Sequence, residues 1–405
     1  MQRAPKMETD FLVIGGGIGG AVFAELVGRG GKRVIVLEKT IAPPNWVRPE
    51  ILWPATTEVL FRLIPRMVWV REAMLPLLGV TISDGRRTVP FVTSEILRQT
   101  QIQPWSTDPN KTREQLLRHR GFELRRGREV IAVLMERNRV MGVRARDVST
   151  GEESEVFAQY TIGDDGVHSL VRESCNIRMK TRLLPLDFLC FSFDWPAGLP
   201  TATARAWLNV KESASGVFSV LAVPLPERKG VGLVAVRPRV FDDISAEERW
   251  DQFCSVDRLM EDVVRNRRFP QDFVRIRRSW GHASRYGAEG AILMGDAAHP
   301  VSPAGGQGAN MSVADACVLA EIALSGKENL LQEYERRRRP ANERSMRFTR
   351  VAARVTGLPE WCLPVSIFWV AVQMAVRHPF LVRRFLRSAS TAFVGREKQV
   401  WRRPA

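Results

Sequence analysis

Three glycine-rich segments, each beside a carboxylate, carry the chemistry available to this chain. Gly15, Gly16, Gly17, Ile18, Gly19 and Gly20 form the first. Gly163, Asp164, Asp165 and Gly166 form the second, with Ser169 and Arg172 following. Gly295 and Asp296 open the third, which runs through Pro303, Gly305, Gly306 and Gly308 to Ala309 and Asn310. The first has the spacing of a phosphate cradle. Gly15 permits the tight turn, Gly17 lets the backbone approach a pyrophosphate, and Gly20 lets a helix pack on a strand. Glu38 stands 18 residues after Gly20, where a carboxylate accepts hydrogen bonds from ribose hydroxyls and repels a 2′-phosphate. Asp296 can accept hydrogen bonds from a polyol chain. A helix opening at Ala309 and Asn310 aims the positive end of its dipole at whatever precedes it. Taken singly, each aspartate reads as a cap or turn residue. Taken together, the segments imply one extended cofactor held along its length, and FAD fits best. The N1–C2=O edge of its ring is anionic when reduced and suits a helix N-terminus.

These residues need strands that end where the chemistry begins. Residues 11–14 are an apolar run ending in glycine, as a buried parallel strand should be. A helix over 21–27 and a strand over 34–37 complete a βαβ unit. Residues 159–162 lead into the second segment and 291–294 into the third. A helix over 309–323 follows, with Val313, Cys317, Ala320 and Leu324 as its buried stripe. The implied fold is α/β: a Rossmann-like FAD-binding domain with a parallel sheet, interleaved with a mixed-sheet substrate domain and ending in helices. The expected division is 1–75, 100–178 and 285–335 for the FAD-binding domain, 76–99 and 179–284 for the substrate domain, and 336–405 for a basic helical segment.

The three segments resemble those of the FAD-dependent aromatic hydroxylases, the single-component group related to para-hydroxybenzoate hydroxylase. The likeness runs to about Glu335. In that pattern an arginine follows the ribose-binding acid, and Arg48 matches it. Arg113, in the run Lys111 to Leu117, matches a further arginine three residues before a leucine in the same pattern. The stretch Arg126 to Val130 resembles the strand whose backbone faces the adenine. The cofactor set is therefore Gly15, Gly17, Ile18, Gly19, Gly20, Glu38, Lys39, Arg48, Arg113, Val130, Asp165, Gly295, Asp296, Pro303, Gly306, Gly308, Ala309 and Asn310. Asp164 departs from the pattern, standing where a small residue is common; Arg172 is a candidate to neutralise it or Asp165. The resemblance implies NADH or NADPH as reductant, bound without a Rossmann domain of its own, and O2 as co-substrate. Oxygen would reach an electron-rich ring or double bond through a flavin C4a-hydroperoxide, with Pro303 against the ring and Arg48 beside the path of the mobile flavin. No acid–base residue is identified; His168 and His299 read as capping or packing groups.

Residues 189–195, 204–210, 217–223 and 231–236 read as strands broken by Pro and Gly. Ser245 to Glu248 is a capping box opening a helix to about Arg265. Phe191, Phe193, Trp207, Phe218 and Leu221 are pocket candidates by strand position, with core packing as the alternative. Few ionisable residues fall here, so the pocket reads as apolar and the substrate as a small lipophilic aromatic, polyketide or prenylated compound. Two rivals stay open: a flavin-dependent reductase or dehydrogenase of a lipophilic substrate, and a non-catalytic FAD-binding membrane protein.

A net charge of +16 favours anionic surfaces, but no nucleic-acid-binding motif accompanies it, and specific nucleic-acid binding is not expected. Five cysteines without a paired spacing suggest a reducing compartment and no metal site. The glycine-rich start reads as strand–turn–helix rather than a secretory signal, so the chain reads as cytoplasmic. The charge-free run 361–376, followed by Arg377, Arg383, Arg384 and Arg387, is short for a spanning helix. Residues 361–387 read equally as a helix at the inner membrane surface, a helix packed on the protein, or a dimer contact. Residues 61–78, with Trp69, are a candidate extension of the same apolar surface.

Overall fold

The computed structural model describes residues 7–118, 121–183, 186–211, 217–237, 245–267, 274–276, 279–327, 329–356 and 363–390. Its first sheet has a parallel core. Thr9–Ile14 lies between Val34–Glu38 and Glu153–Gly163. Ala291–Leu293 adds beyond Gly163, and Glu123–Arg126 beyond Val34–Glu38. Leu12, Val13, Val36, Ile162 and Leu293 are all buried, which is why these strands are apolar without alternation. Helix Ile18–Arg29 packs on the first two strands and against helix Gly308–Leu324. Both helices start close to where the sequence placed them.

A second, mixed sheet runs in the order Val274–Ile276, Asp187–Asp194, Lys229–Val236, Val217–Leu225, Thr203–Lys211, Gly79–Ser83, Thr88–Val92. One face is a core of Leu189, Phe191, Phe193, Trp207, Val220 and Val234 under helices Ala246–Cys254 and Arg258–Arg265. The opposite face carries Leu221 with Val47 and Ile51, and Leu233 with Ala304. Phe191, Phe193 and Trp207 therefore do not line the side that meets the late glycine loop. They are the widest residues of the stretch and fill space beneath two helices. Leu221 is on the loop-facing side, and the side chain of Phe218 lies outside the described residues.

Two further expectations change. The helix opened by the Ser245–Glu248 capping box stops at Cys254. Asp257 then caps a second helix, accepting from Met260 N at 2.7 Å, because its side chain offers the backbone a fresh start. Trp69 is fully buried, its indole N–H shared by the carbonyls of Leu60 and Ile64, so it adds nothing to an apolar surface. The chain closes with helices Leu330–Thr356, Leu363–Arg377 and Pro379–Ala389; Trp361 and Cys362 lie outside the described residues. Among the described residues no helix is long and apolar enough to cross a membrane.

Candidate cofactor site

The three glycine segments leave the sheet at one edge, where neighbouring parallel strands end. Gly15 N donates to Leu37 O (2.9 Å), Asp164 N to Ile14 O (3.0 Å) and Met294 N to Gly163 O (3.0 Å). Carboxyl ends of parallel strands are where α/β sheets bind ligands. Gly15 has φ of +104°, and a Cβ there would strike the Asp164 carbonyl. At Gly20 an added Cβ would lie 2.5 Å from Gly15 O. Glycine is therefore required at both positions. Gly17 caps its helix without a side-chain bond, leaving the N–H groups of Ile18 and Gly19 without intrahelical acceptors.

Gly20 N is taken: it donates to Asp164 Oδ2 at 2.7 Å. Loss of hydration pushes the Asp164 carboxyl well above the usual carboxylate range. The Gly20 N–H opposes the rise, and Asp296, Asp165 and Asp315 add to it. Poor hydration also raises the Asp165 carboxyl, against the hydrogen bonds it accepts. Asp165 Oδ2 receives Val171 N at 3.2 Å, and its Oδ1 is buried without a partner. Arg172 neutralises neither aspartate by direct contact; its buried guanidinium donates to Ala297 O at 3.1 Å, tying the second segment to the third.

Glu38 closes its strand in a polar cluster. Gly16 N donates to one carboxylate oxygen (2.8 Å), while Thr40 N (2.7 Å) and Thr40 Oγ1 (2.6 Å) donate to the other. Arg113 approaches Glu38 at 3.9 Å and donates to Thr40 Oγ1 at 3.1 Å. A cavity of about 370 Å³ is lined by Leu37, Arg125, Arg126, Arg128, Ala145, Ser154 and Val156, and by none of Glu38, Thr40 and Arg113. Val130 lies half-buried on the adjoining strand Arg128–Glu136. Lys39 is committed to an ion pair with Glu129 at 2.5 Å. Arg48 is half-buried on a loop, 4.0 Å from Glu50.

The third segment is a single turn at Gly295–Ala297 followed by a loop in which Gly305 and Gly306 take positive φ. Pro303 and Ala309 are half-buried there. Helix Gly308–Leu324 has no side-chain cap, so the N–H groups of Gly308 and Ala309 are free of intrahelical acceptors. The Asn310 side chain points elsewhere. Its oxygen accepts from Trp53 N (2.9 Å) and Thr56 Oγ1 (2.7 Å), and its nitrogen donates to Ile51 O (2.9 Å) and Gly306 O (2.8 Å). Asn310 thus fixes the loop, and only its backbone is left to face a ligand.

Beneath this turn lies a buried network that spacing alone did not reveal. Asp315 accepts from Gly295 N (3.1 Å), His299 Nε2 (2.5 Å), Arg338 Nε (2.7 Å) and Asn342 Nδ2 (3.1 Å). Burial opposes its charge, but His299 and Arg338 outweigh that and hold the carboxyl well below the usual range. The available signal was an ionisable residue inside an otherwise apolar helical run. Thr40 was missed too, since a threonine after a strand has many bland roles.

Asp165 Oδ1, Arg113 Nε, Trp53 Nε1 and Gln307 Oε1, all on or beside the three loops, are buried without partners. With two uncapped helix N-termini at the same edge, they suit a long ligand that is anionic at its middle and polar at both ends. The residues fit FAD.

The sequence model of the FAD binding domain family matches residues 8–349. Rifampicin monooxygenase of Streptomyces venezuelae is 28% identical over 344 residues, covering 82% of this chain and 68% of that protein. The 6-methylpretetramide 4-monooxygenase of Streptomyces rimosus is 27% identical, covering 85% and 83%. The crystal structure of p-nitrophenol 4-monooxygenase PnpA from Pseudomonas putida superposes with a TM-score of 0.77 at 17% identity, over 96% of this chain and 100% of that one. The chain belongs to the FAD-binding-domain family, with the fold of the para-hydroxybenzoate hydroxylase-like flavoproteins.

Proposed function

We propose that the protein is an FAD-dependent monooxygenase that takes electrons from NADH or NADPH and one oxygen atom from O2, and hydroxylates or epoxidises a lipophilic aromatic or polyketide compound. The observation that carries this reading is the meeting of three glycine loops and an apolar sheet face at one place. FAD, when bound, supplies electron transfer and dioxygen activation. The chain supplies the rest. Ile18, Gly19 and Asp296 would hold the pyrophosphate region and polyol chain, Glu38 and Arg113 the adenosine end, and Pro303 to Ala309 the ring.

The sheet face toward the late loop carries Ala206, Leu221, Leu233 and Cys190 in register across four strands, with Ser192 and Ser219 nearby on the same face. None is an Asp, Glu, His, Lys or Arg, which favours a neutral, apolar substrate and limits water at the reacting atoms. The relatives named rifampicin monooxygenase and 6-methylpretetramide 4-monooxygenase support a monooxygenase reaction. Residues 1–75, 100–178 and 285–335 would form the FAD-binding part, and 76–99 with 179–284 the substrate part.

The test is oxygen uptake by the FAD-loaded protein with NADH or NADPH across a panel of neutral polycyclic aromatic and polyketide compounds. Uptake stimulated by a compound that gains one oxygen atom is the expected result. Nicotinamide oxidation stimulated by substrate without oxygen consumption would instead identify a reductase.

A further inference from the structure

Helix Leu363–Arg377 has two apolar faces, and among the described residues only one is covered. Val372 and Ala375 are buried, where this helix and Pro379–Ala389 pack on strand Thr88–Val92 and helix Ser94–Thr100. Ile367, Val370 and Met374 are 57%, 60% and 46% exposed, spaced at i, i+3 and i+7 on the outward side. Phe380 and Phe385 of the next helix are 56% and 42% exposed. An apolar helix face left open to water calls for an occupant.

Charge selects that occupant. Residues 363–390 contain Arg377, Arg383, Arg384 and Arg387 and no Asp or Glu. Arg383 is tied to Gln99 at 2.6 Å. Arg377, Arg384 and Arg387 have no ion pair among the described residues, and the one carboxylate of the adjacent helix, Glu95, is paired with Arg98. A second copy would bring an identical cationic, acid-free face against this one, inside a chain already carrying +16. An anionic bilayer surface satisfies both features: apolar side chains enter the headgroup boundary and arginines meet lipid phosphates. We infer that helices Leu363–Arg377 and Pro379–Ala389 dock this protein on an anionic membrane surface, lying in its plane without crossing it.

The docking face also adjoins the late glycine loop. Gln307 Nε2 donates to Ala389 O at 2.9 Å. The Phe385 ring packs 5.5 Å from Phe91 and 6.2 Å from Phe348, and Phe348 lies against Gly305. A lipid-bound protein would therefore hold the loop-facing side of its substrate sheet next to the bilayer. The docking claim itself does not rest on the proposed reaction.

Flotation of the full-length, FAD-loaded protein with vesicles tests it. One set is phosphatidylcholine alone, the other phosphatidylcholine with phosphatidylglycerol. The wild type is expected to float with anionic vesicles only, less so as salt rises. The V370E/M374E variant should lose more than tenfold in binding at an unchanged melting temperature. R384Q/R387Q should lose about 25-fold, at roughly fivefold per arginine. M135E, at an equally exposed apolar residue of strand Arg128–Glu136, should bind as the wild type does. Failure of the folded wild type to float with anionic vesicles at low salt would overturn the inference. So would undiminished binding by both multiple variants, or a dimer in sedimentation velocity that V370E/M374E dissociates. Because the readout is flotation, none of these outcomes depends on catalytic activity.

Discussion

Asp164 lies against the first glycine turn, where it accepts from Gly20 N. Its carboxyl is raised by loss of hydration, so the folded state holds its proton to a higher pH than the unfolded chain, whose carboxyl titrates near pH ~4. Stability from this group is complete below that pH and is lost as pH rises through the folded value. Asp164→Asn keeps an acceptor for Gly20 N and removes the charge. We expect a melting temperature a few degrees higher at neutral pH and no gain below pH ~4; melts at several pH values measure both. Asn310 is a supporting residue with a measurable cost. Asn310→Ala strands Trp53 N and the Ile51 and Gly306 carbonyls, and chemical denaturation should show a loss of about 2–4 kcal/mol. Residue-level reading of the sequence succeeded where a type is sterically required, as at Gly15 and Gly20, or where an acid sits at a fixed offset, as at Glu38. For Phe191, Phe193 and Trp207 it left pocket and core packing both open, because strand alternation shows that two faces exist but not which one meets the cofactor loops. Large aromatics marked the filled core, whereas a face that must leave room carries smaller groups such as Cys190 and Ser192.

Elements were readable where local signals agreed. The apolar runs before Gly15, Gly163 and Gly295 are strands, and each glycine falls at a strand end or just beyond. Asp257 shows the limit: a mid-helix aspartate reads as a surface residue until its side chain is seen capping a new helix and bonding Trp207 Nε1 at 2.7 Å. Helices Gly308–Leu324 and Leu330–Thr356 are held together by Asp315 and Arg338, both fully buried. Such pairing is invisible to periodicity, since each residue alone looks misplaced in a core. Arg338→Met leaves the Asp315 charge without its buried arginine partner; equilibrium unfolding should show a loss of about 3–5 kcal/mol. The same change frees the Gly295 turn, so FAD affinity should fall as well. Unchanged stability would mean that His299 and Asn342 suffice to hold the carboxylate.

At the scale of the molecule, two sheets meet across the late loop, and the closing helices pack against the second, mixed sheet. Sequence alone indicated both sheets and their order along the chain, because glycine loops and strand runs are local. It did not indicate how the final helices pack, which depends on contacts between distant segments. One global property follows from His282, which contacts Tyr286 OH at 2.7 Å near Arg339. Burial, with Arg339 nearby, lowers its pKa to about 4. The unfolded chain then binds the extra proton first, so this contribution to stability is present above pH ~6.5 and is lost as pH falls to about 4. His282→Gln should flatten the decline in melting temperature across that window. The central claim is that three separated glycine segments grip one FAD. Its most direct test is a titration of the purified apoprotein with FAD, followed by flavin absorbance and fluorescence quenching, beside G20V. The account predicts a yellow protein retaining one FAD per chain, with binding abolished or severely weakened in G20V while the variant stays folded. A wild-type protein that remains colourless after incubation with FAD, or a folded G20V that binds FAD equally well, would contradict it.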